Sequence, residues 1–116
     1  MNRICTLAAV VTAAAVAAGS AGAATPKLNG TVTDALKIFV TKGGKKVTSL
    51  KAGKYLLVVS DQTSGHNFHI TGPGVNKSTS VSGKTTAKWT LTLKKGTYKY
   101  VCDPHKSFMK GSFTVR

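Results

Sequence analysis

Acidic residues are almost missing from this chain of 116 residues, which has three aspartates and no glutamate against 17 lysines and arginines. The resulting net charge of +14 favours acidic partners and anionic surfaces and repels cations. Nucleic acid is the usual partner of so basic a protein. The lysines, however, stand singly or in pairs and are not interleaved with aromatic residues. We therefore interpret them as a solvated surface and expect no nucleic-acid partner.

Cysteine is also scarce, since the chain has only Cys5 and Cys102. Cys5 lies in an N-terminal segment with Arg3 near its start, a short alanine-rich apolar stretch and small residues at its end. This pattern predicts a secretory signal peptide over 1–23 and a secreted or periplasmic protein, the alternative being a retained N-terminal anchor. Removing 23 of the 116 residues would leave a domain of 93 residues, 24–116, and would lower the net charge by one, to +13.

The remaining domain would contain a single thiol, that of Cys102, without an intramolecular disulfide partner. A lone thiol in an oxidising compartment must be protected or used. It is either a buried, inert cysteine or part of a site. No membrane span is expected in the mature domain, and we expect a monomer.

Convincing helical periodicity is absent as well, and apolar residues follow a period of two instead. In AKWTLTLKK, Trp89, Leu91 and Leu93 alternate with polar residues, and KYLLVVS is apolar on both faces, as in a central strand. Seven such segments, separated by glycine-containing turns, predict an all-β fold: a small antiparallel Greek-key β-sandwich of about seven strands. The polar stretch NKSTSVSGK is expected to be a long loop.

One predicted loop between two strands holds Cys102, His105 and Met109 within eight residues. Pro104 limits the conformations of the turn between them. Thiolate, imidazole and thioether together suit copper, whereas a thioether is a poor ligand for zinc. A blue-copper site has two histidines, one cysteine and a weak axial methionine, so a second histidine is required.

The segment SGHNFHI supplies two candidates for that second histidine, His66 and His69. By alternation, His66 shares a face with Phe68 and Ile70, which are natural core residues. We therefore favour His66 as the ligand and interpret His69 as a surface or inter-sheet histidine.

Three motifs carry a resemblance to a known family. YVCDPH resembles the Cys-x-Pro-His turn of plastocyanin and amicyanin, HKSFMKG resembles the His-x-x-x-Met-Lys-Gly segment of azurin, and the pair His66-Asn67 resembles the His-Asn pair of these proteins. From about residue 36 to residue 115, the chain is thus similar to the cupredoxins. The resemblance implies one type 1 copper ion with the ligands His66, Cys102, His105 and Met109. It also implies a hydrogen bond from the Asn67 backbone N–H to the thiolate.

These residues lead to the hypothesis of an exported one-electron carrier. His105 would be the electron port, Pro104 and Phe108 an apolar docking patch around it, and Lys106 and Lys110 a rim that steers an acidic redox partner. Two alternatives stay open: a copper carrier or buffer without electron transfer, and a metal-free basic β-sandwich for adhesion. A Cys–His nucleophile lacks an evident third residue to orient it, so no enzymatic activity is predicted.

Overall fold

Alternating apolar and polar side chains build ten β-strands in residues 24–116, the part of the chain that the computed structural model describes. The predicted signal peptide, 1–23, lies outside the described residues. No helix in the described part is long and apolar enough to cross a membrane. The strands are β1 (Lys27–Thr33), β2 (Lys37–Lys42), β3 (Lys45–Lys46), β4 (Ser49–Leu50), β5 (Gly53–Asp61), β6 (His69–Gly72), β7 (Val75–Ser78), β8 (Thr85–Leu93), β9 (Gly96–Val101) and β10 (Lys110–Val115).

The strands form two five-stranded sheets, ordered β3-β2-β1-β5-β8 and β4-β10-β9-β6-β7. The predicted all-β sandwich is confirmed. Its pairing is mainly antiparallel, with two parallel pairs, β1 with β5 and β4 with β10. Parallel neighbours need a long crossover connection, and here the strands lying between the partners in sequence supply it. The expected long loop is shorter than predicted, because Val75–Ser78 pairs with β6 as β7.

Four aromatic residues pack in the core: Tyr98 and Tyr100 of β9, Phe113 of β10, and Phe68, which directly precedes β6. Phe68 and Tyr100 stack with ring centroids 5.7 Å apart, and Tyr98 and Phe113 stack at 5.5 Å. All four are buried. Offset stacking of this kind stabilises aromatic pairs beyond the area they bury. Tyr100 lies in β9, two residues before Cys102. The packed core therefore extends close to the loop that carries Cys102, His105 and Met109.

The pairing of β9 positions that loop. β9 pairs with β10 so that Val101 lies opposite Lys110, and with β6 so that Val101 also lies opposite His69. The first pairing makes 102–109 the connection of a hairpin. The second brings the segment before β6 alongside that connection, although the two are about 36 residues apart in the chain.

Close packing of β9 against β10 depends on a glycine. A β-carbon added at Gly111 would lie 2.5 Å from Cζ and from the hydroxyl oxygen of Tyr100. We expect Gly111→Ala to lower the free energy of unfolding by roughly 1–3 kcal/mol, the usual cost of overpacking a core. Denaturant unfolding of the metal-free protein measures this. Gly83→Ala is the matched control, because no atom lies within 4 Å of its added β-carbon. Equal stabilities of the two variants would contradict the packing argument.

Candidate metal centre

Two histidines and one cysteine lie close together where the hairpin connection 102–109 meets the segment before β6. Nδ1 of His66 and Nδ1 of His105 each lie 3.6 Å from Sγ of Cys102. One potential ligand atom from each residue lies within 4.8 Å of the other two. The two imidazole rings are tilted by 34° with their centroids 4.7 Å apart. Three soft or borderline donors therefore surround one point.

The separation of these donors fits a first-row transition-metal ion. Zinc, taken as a measure of size, binds sulfur at about 2.3 Å and imidazole nitrogen at about 2.0 Å. Two such bonds 120° apart would place sulfur and nitrogen about 3.7 Å from each other, and both observed distances are 3.6 Å. The cluster therefore fits a trigonal arrangement of two histidines and one cysteine, which is typical of blue-copper sites.

Backbone hydrogen bonds fix the hairpin connection that carries Cys102, His105 and Met109. Residues Asp103–His105 form a 3₁₀ turn with Pro104 near its start, and the His105 N–H donates to the carbonyl of Cys102 at 3.0 Å. The Met109 N–H donates to the carbonyl of His105 at 2.8 Å, and the Cys102 N–H donates to the carbonyl of Met109 at 3.0 Å. Met109 is only 1% exposed. The loop thus brings the methionine back beside the cysteine, while ligation by its sulfur stays a prediction.

The structure places His66, and not His69, next to Cys102. The reason differs from the alternation argument, because β6 begins only at His69 and His66 lies in the preceding loop. Asn67, expected on the opposite face, is buried as well. Period-two reasoning fails for this segment because it is not a strand, although it selects the histidine that lies at the cluster.

The carboxamide of Asn67 joins the segment before β6 to the hairpin connection 102–109. Its Nδ2 donates to Oδ2 of Asp103 at 2.8 Å, and its Oδ1 accepts from the Asp103 backbone N–H at 2.8 Å. The predicted bond from the Asn67 backbone N–H to the thiolate stays a prediction. Sequence reasoning missed the role of Asp103, for which the one signal was an acidic residue between Cys102 and Pro104 in an almost acid-free chain.

A second set of polar contacts anchors the segment that carries His66. Asp61, at the end of β5, is buried, accepts from the Thr63 N–H at 3.3 Å and lies 3.5 Å from the hydroxyl of Thr79. The Thr79 hydroxyl in turn accepts from the Phe68 N–H at 2.9 Å. Burial raises the pKa of Asp61, and the hydrogen bonds and the nearby His66 oppose that rise. The segment is therefore held at both ends by side chains of the core.

Comparison with known proteins decides the family. The family model for copper-binding proteins of the plastocyanin/azurin family matches residues 31–116. The chain belongs to this family, and it is a cupredoxin. A search of curated protein sequences gave no match.

Solved structures share the fold of this cupredoxin. Reduced rusticyanin is 20% identical with a TM-score of 0.57, and the match covers 82% of this chain and 81% of that one. Rusticyanin from Thiobacillus ferrooxidans is 21% identical with a TM-score of 0.55, over 82% and 79% of the chains. A reduced Trp-to-Tyr variant of amicyanin is 21% identical with a TM-score of 0.54, over 83% and 88%.

Copper is the cofactor of this cupredoxin. The family match and the cluster of His66, Cys102 and His105, with Met109 nearby, together support one type 1 copper ion. This confirms the prediction of copper. The donor set explains the choice of metal, since thiolate suits Cu(I) and imidazole suits both oxidation states.

One side of the site is accessible from solvent. His105 is half-buried, whereas His66 is 8% exposed and Cys102 is fully buried. Phe108 is 55% exposed and its ring lies 5.5 Å from that of His105. Pro104, Lys106 and Lys110 are also exposed. Leu36, which sequence reasoning missed, is also exposed and lines the same groove as Phe108.

His69 has its own hydrogen-bond partners beside the site. Its Nδ1 lies 3.1 Å from both carboxylate oxygens of Asp103, and its Nε2 lies 2.7 Å from Oδ1 of Asn76. The bond to Asn76 raises the pKa of His69, burial lowers it, and Asp103 raises it, with a net rise. Burial alone would raise the pKa of Asp103, but the hydrogen bonds from Asn67 and His69 and the nearby positive charges lower it overall.

We expect the imidazole of His69 to titrate above its ordinary value of 6.5 in the metal-free protein, and Asn76→Ala to lower this pKa. Protonated His69 then stabilises the fold below that ordinary pKa, and the contribution is lost as the pH rises through the folded-state pKa. Titration of the imidazole protons by NMR measures the shift. Thr97→Ala, an exposed change at the far end of β9, should leave it unchanged. A pKa at or below 6.5 would show that the contacts do not favour the charged ring.

Proposed function

We propose that this cupredoxin is an exported one-electron carrier whose copper ligands are His66, Cys102, His105 and Met109. The observation that carries the proposal is the convergence of two Nδ1 atoms on the Cys102 sulfur at 3.6 Å each. Bound copper would supply a one-electron Cu(II)/Cu(I) couple. Export is supported by the residue pattern of 1–23, and we propose 24–116 as the mature domain, a monomer in the periplasm or outside the cell.

Rigidity of the ligand frame supports electron transfer over simple copper storage. Cys102 and His105 lie on a turn closed by backbone hydrogen bonds, and His66 lies on a segment held by Asp61 and Thr79. Cu(II) and Cu(I) prefer different geometries, so donors that barely move between the two states keep the reorganisation small. A copper carrier would instead gain from ligands that open easily.

The partly accessible imidazole of His105 supports the proposed electron port. Since His66 and Cys102 are buried, His105 offers the shortest path from the cluster to the surface. The exposed Pro104 and Phe108 would dock the redox partner, and Lys106 and Lys110 would attract acidic groups on it. Nothing in the described residues indicates catalysis, and we propose no enzymatic activity.

The ligand set predicts an intense visible band when the purified mature domain binds Cu(II), because thiolate-to-copper charge transfer absorbs there. Cys102→Ser and His66→Ala should each abolish this band, while His69→Ala should retain it. Absorption spectroscopy after adding Cu(II) measures all three variants. His69→Ala tests which of the two histidines is the ligand, since His69 lies in the same short segment as His66 but outside the cluster.

Two results would overturn the ligand set. A band that survives Cys102→Ser would exclude the thiolate as a copper ligand. Loss of the band only in His69→Ala would show that His69, and not His66, is the ligand. A coloured protein without a reversible Cu(II)/Cu(I) couple would favour the copper carrier. A protein that binds no copper would favour the metal-free adhesion domain.

The lysines around His105 predict salt-dependent electron transfer. With a negatively charged small redox reagent, the bimolecular rate should fall as salt rises, because screening sets in over about 10 Å at 0.1 M. Stopped-flow kinetics across a salt series measures this. Lys106→Gln with Lys110→Gln should flatten the salt dependence.

The matched control is Lys51→Gln with Lys95→Gln, which removes two equally exposed charges before β5 and β9, at the end of the sandwich opposite the site. It should flatten the salt dependence less. Equal effects of the two pairs would exclude a local port and leave only a diffuse field. A rate that does not depend on salt would show that the lysines serve solubility and do not steer the redox reagent.

A further inference from the structure

We propose that His69 is a positioning residue of the copper site: through Asp103 it ties the turn between Cys102 and His105 to the paired strands β6 and β7 of the second sheet. The inference rests on the proposed ligand set, and it adds a residue outside that set. The hydrogen bonds of the His69 side chain go to Asp103 and Asn76, neither of which is a proposed ligand. His69 acts on the ligands through the residue that lies between them in the chain.

The first support is the geometry at His69 itself. Nδ1 is equidistant, at 3.1 Å, from both oxygens of the Asp103 carboxylate, and Nε2 lies 2.7 Å from the side-chain oxygen Oδ1 of Asn76. Both ring nitrogens therefore face acceptors, which an imidazolium satisfies by donating from each. A charge-assisted bond to a carboxylate is stronger than a neutral one. The ring is thus oriented from both sides, and its side chain is only 27% exposed.

The second support is the position in the fold of the residues that His69 connects, Asn76 and Asp103. His69 begins β6 and lies opposite Val101 of β9, and Asn76 lies on β7. These backbones are held by strand pairing. Asp103, at the other end, lies in the 3₁₀ turn and outside any strand. The bond therefore connects β6, which is paired on both sides, to the turn that carries two of the proposed ligands.

The third support is that Asp103 also binds the residue next to His66. Its carboxylate accepts from Nδ2 of Asn67, and its N–H donates to Oδ1 of Asn67. The carboxylate of Asp103 is therefore shared between Asn67, which follows one proposed ligand, and His69, which belongs to the sheet. Outer partners of this kind orient metal ligands, and losing one typically weakens metal binding about 10-fold to 100-fold.

The inference predicts a local change in the metal-free protein. In His69→Ala, the backbone amide of Asp103 should exchange its hydrogen faster, because local opening of the turn becomes easier, while the amide of Tyr100 in the core of β9 keeps its rate. Hydrogen exchange followed by NMR measures both. Thr71→Ala is the matched control, because Thr71 is an exposed residue of the same strand and should change neither rate.

The loaded protein gives a second readout. In His69→Ala, the copper affinity measured by competition with a Cu(I) chelator should fall about 10-fold, and the reduction potential should shift, with both unchanged in Thr71→Ala. Because His69 acts through Asp103, adding His69→Ala to Asp103→Ala should produce no further change. His69→Gln, which retains a hydrogen-bond donor, should recover part of the wild-type behaviour.

The experiment separates failure of this inference from failure of the proposed function. Equal amide exchange in His69→Ala and wild type, or additive effects of the two alanine substitutions, would overturn the positioning role even if the copper site is intact. A wild-type protein that gives no visible band would overturn the proposed ligands, while faster Asp103 exchange in metal-free His69→Ala would still support the tie between His69 and the turn.

Discussion

The pairing of β9 with both β6 and β10 is the constraint on which the site depends. Pairing with β10 closes the connection 102–109, and pairing with β6 brings the preceding segment alongside it. The ladder between β9 and β6 therefore brings together His66 and Cys102, which lie 36 residues apart in the chain. Strand pairing has a fixed spacing and register, so the donors are arranged before any metal binds.

Burial of the cluster follows from the same arrangement. The rings of Phe68 and Tyr100 stack in the core, and Cys102 itself is fully buried. Burial thereby shields the Cys102 thiol from oxidants in the solvent. The buried side chain of Met109 closes the loop on the same side. Access remains at His105, so the protein combines a protected sulfur with one half-buried imidazole.

The few acidic residues are concentrated around the site. Asp61 anchors the segment of His66, and Asp103 links Asn67 to His69, so two of the three acids in the whole chain support the frame of the cluster. Asp61 accepts a hydrogen bond from Thr63, and the carboxylate of Asp103 contacts Asn67 and His69. The lysines meet few acids on the surface, which leaves the positive field available for long-range attraction.

The amino-acid sequence by itself determined the all-β fold, the composition of the donor set and the choice of copper. Alternation specifies strands because side chains of a pleated strand point to opposite faces, and the spacing of Cys102, His105 and Met109 lies within one loop. Only the tertiary structure decided the partner of that loop and the contacts around it. His66 precedes β6 and does not lie within it, and β7 extends into the expected loop. The contacts of Asp103 with Asn67 and His69 join segments 34 to 36 residues apart. Such long-range contacts depend on strand register, which no local pattern in the sequence encodes.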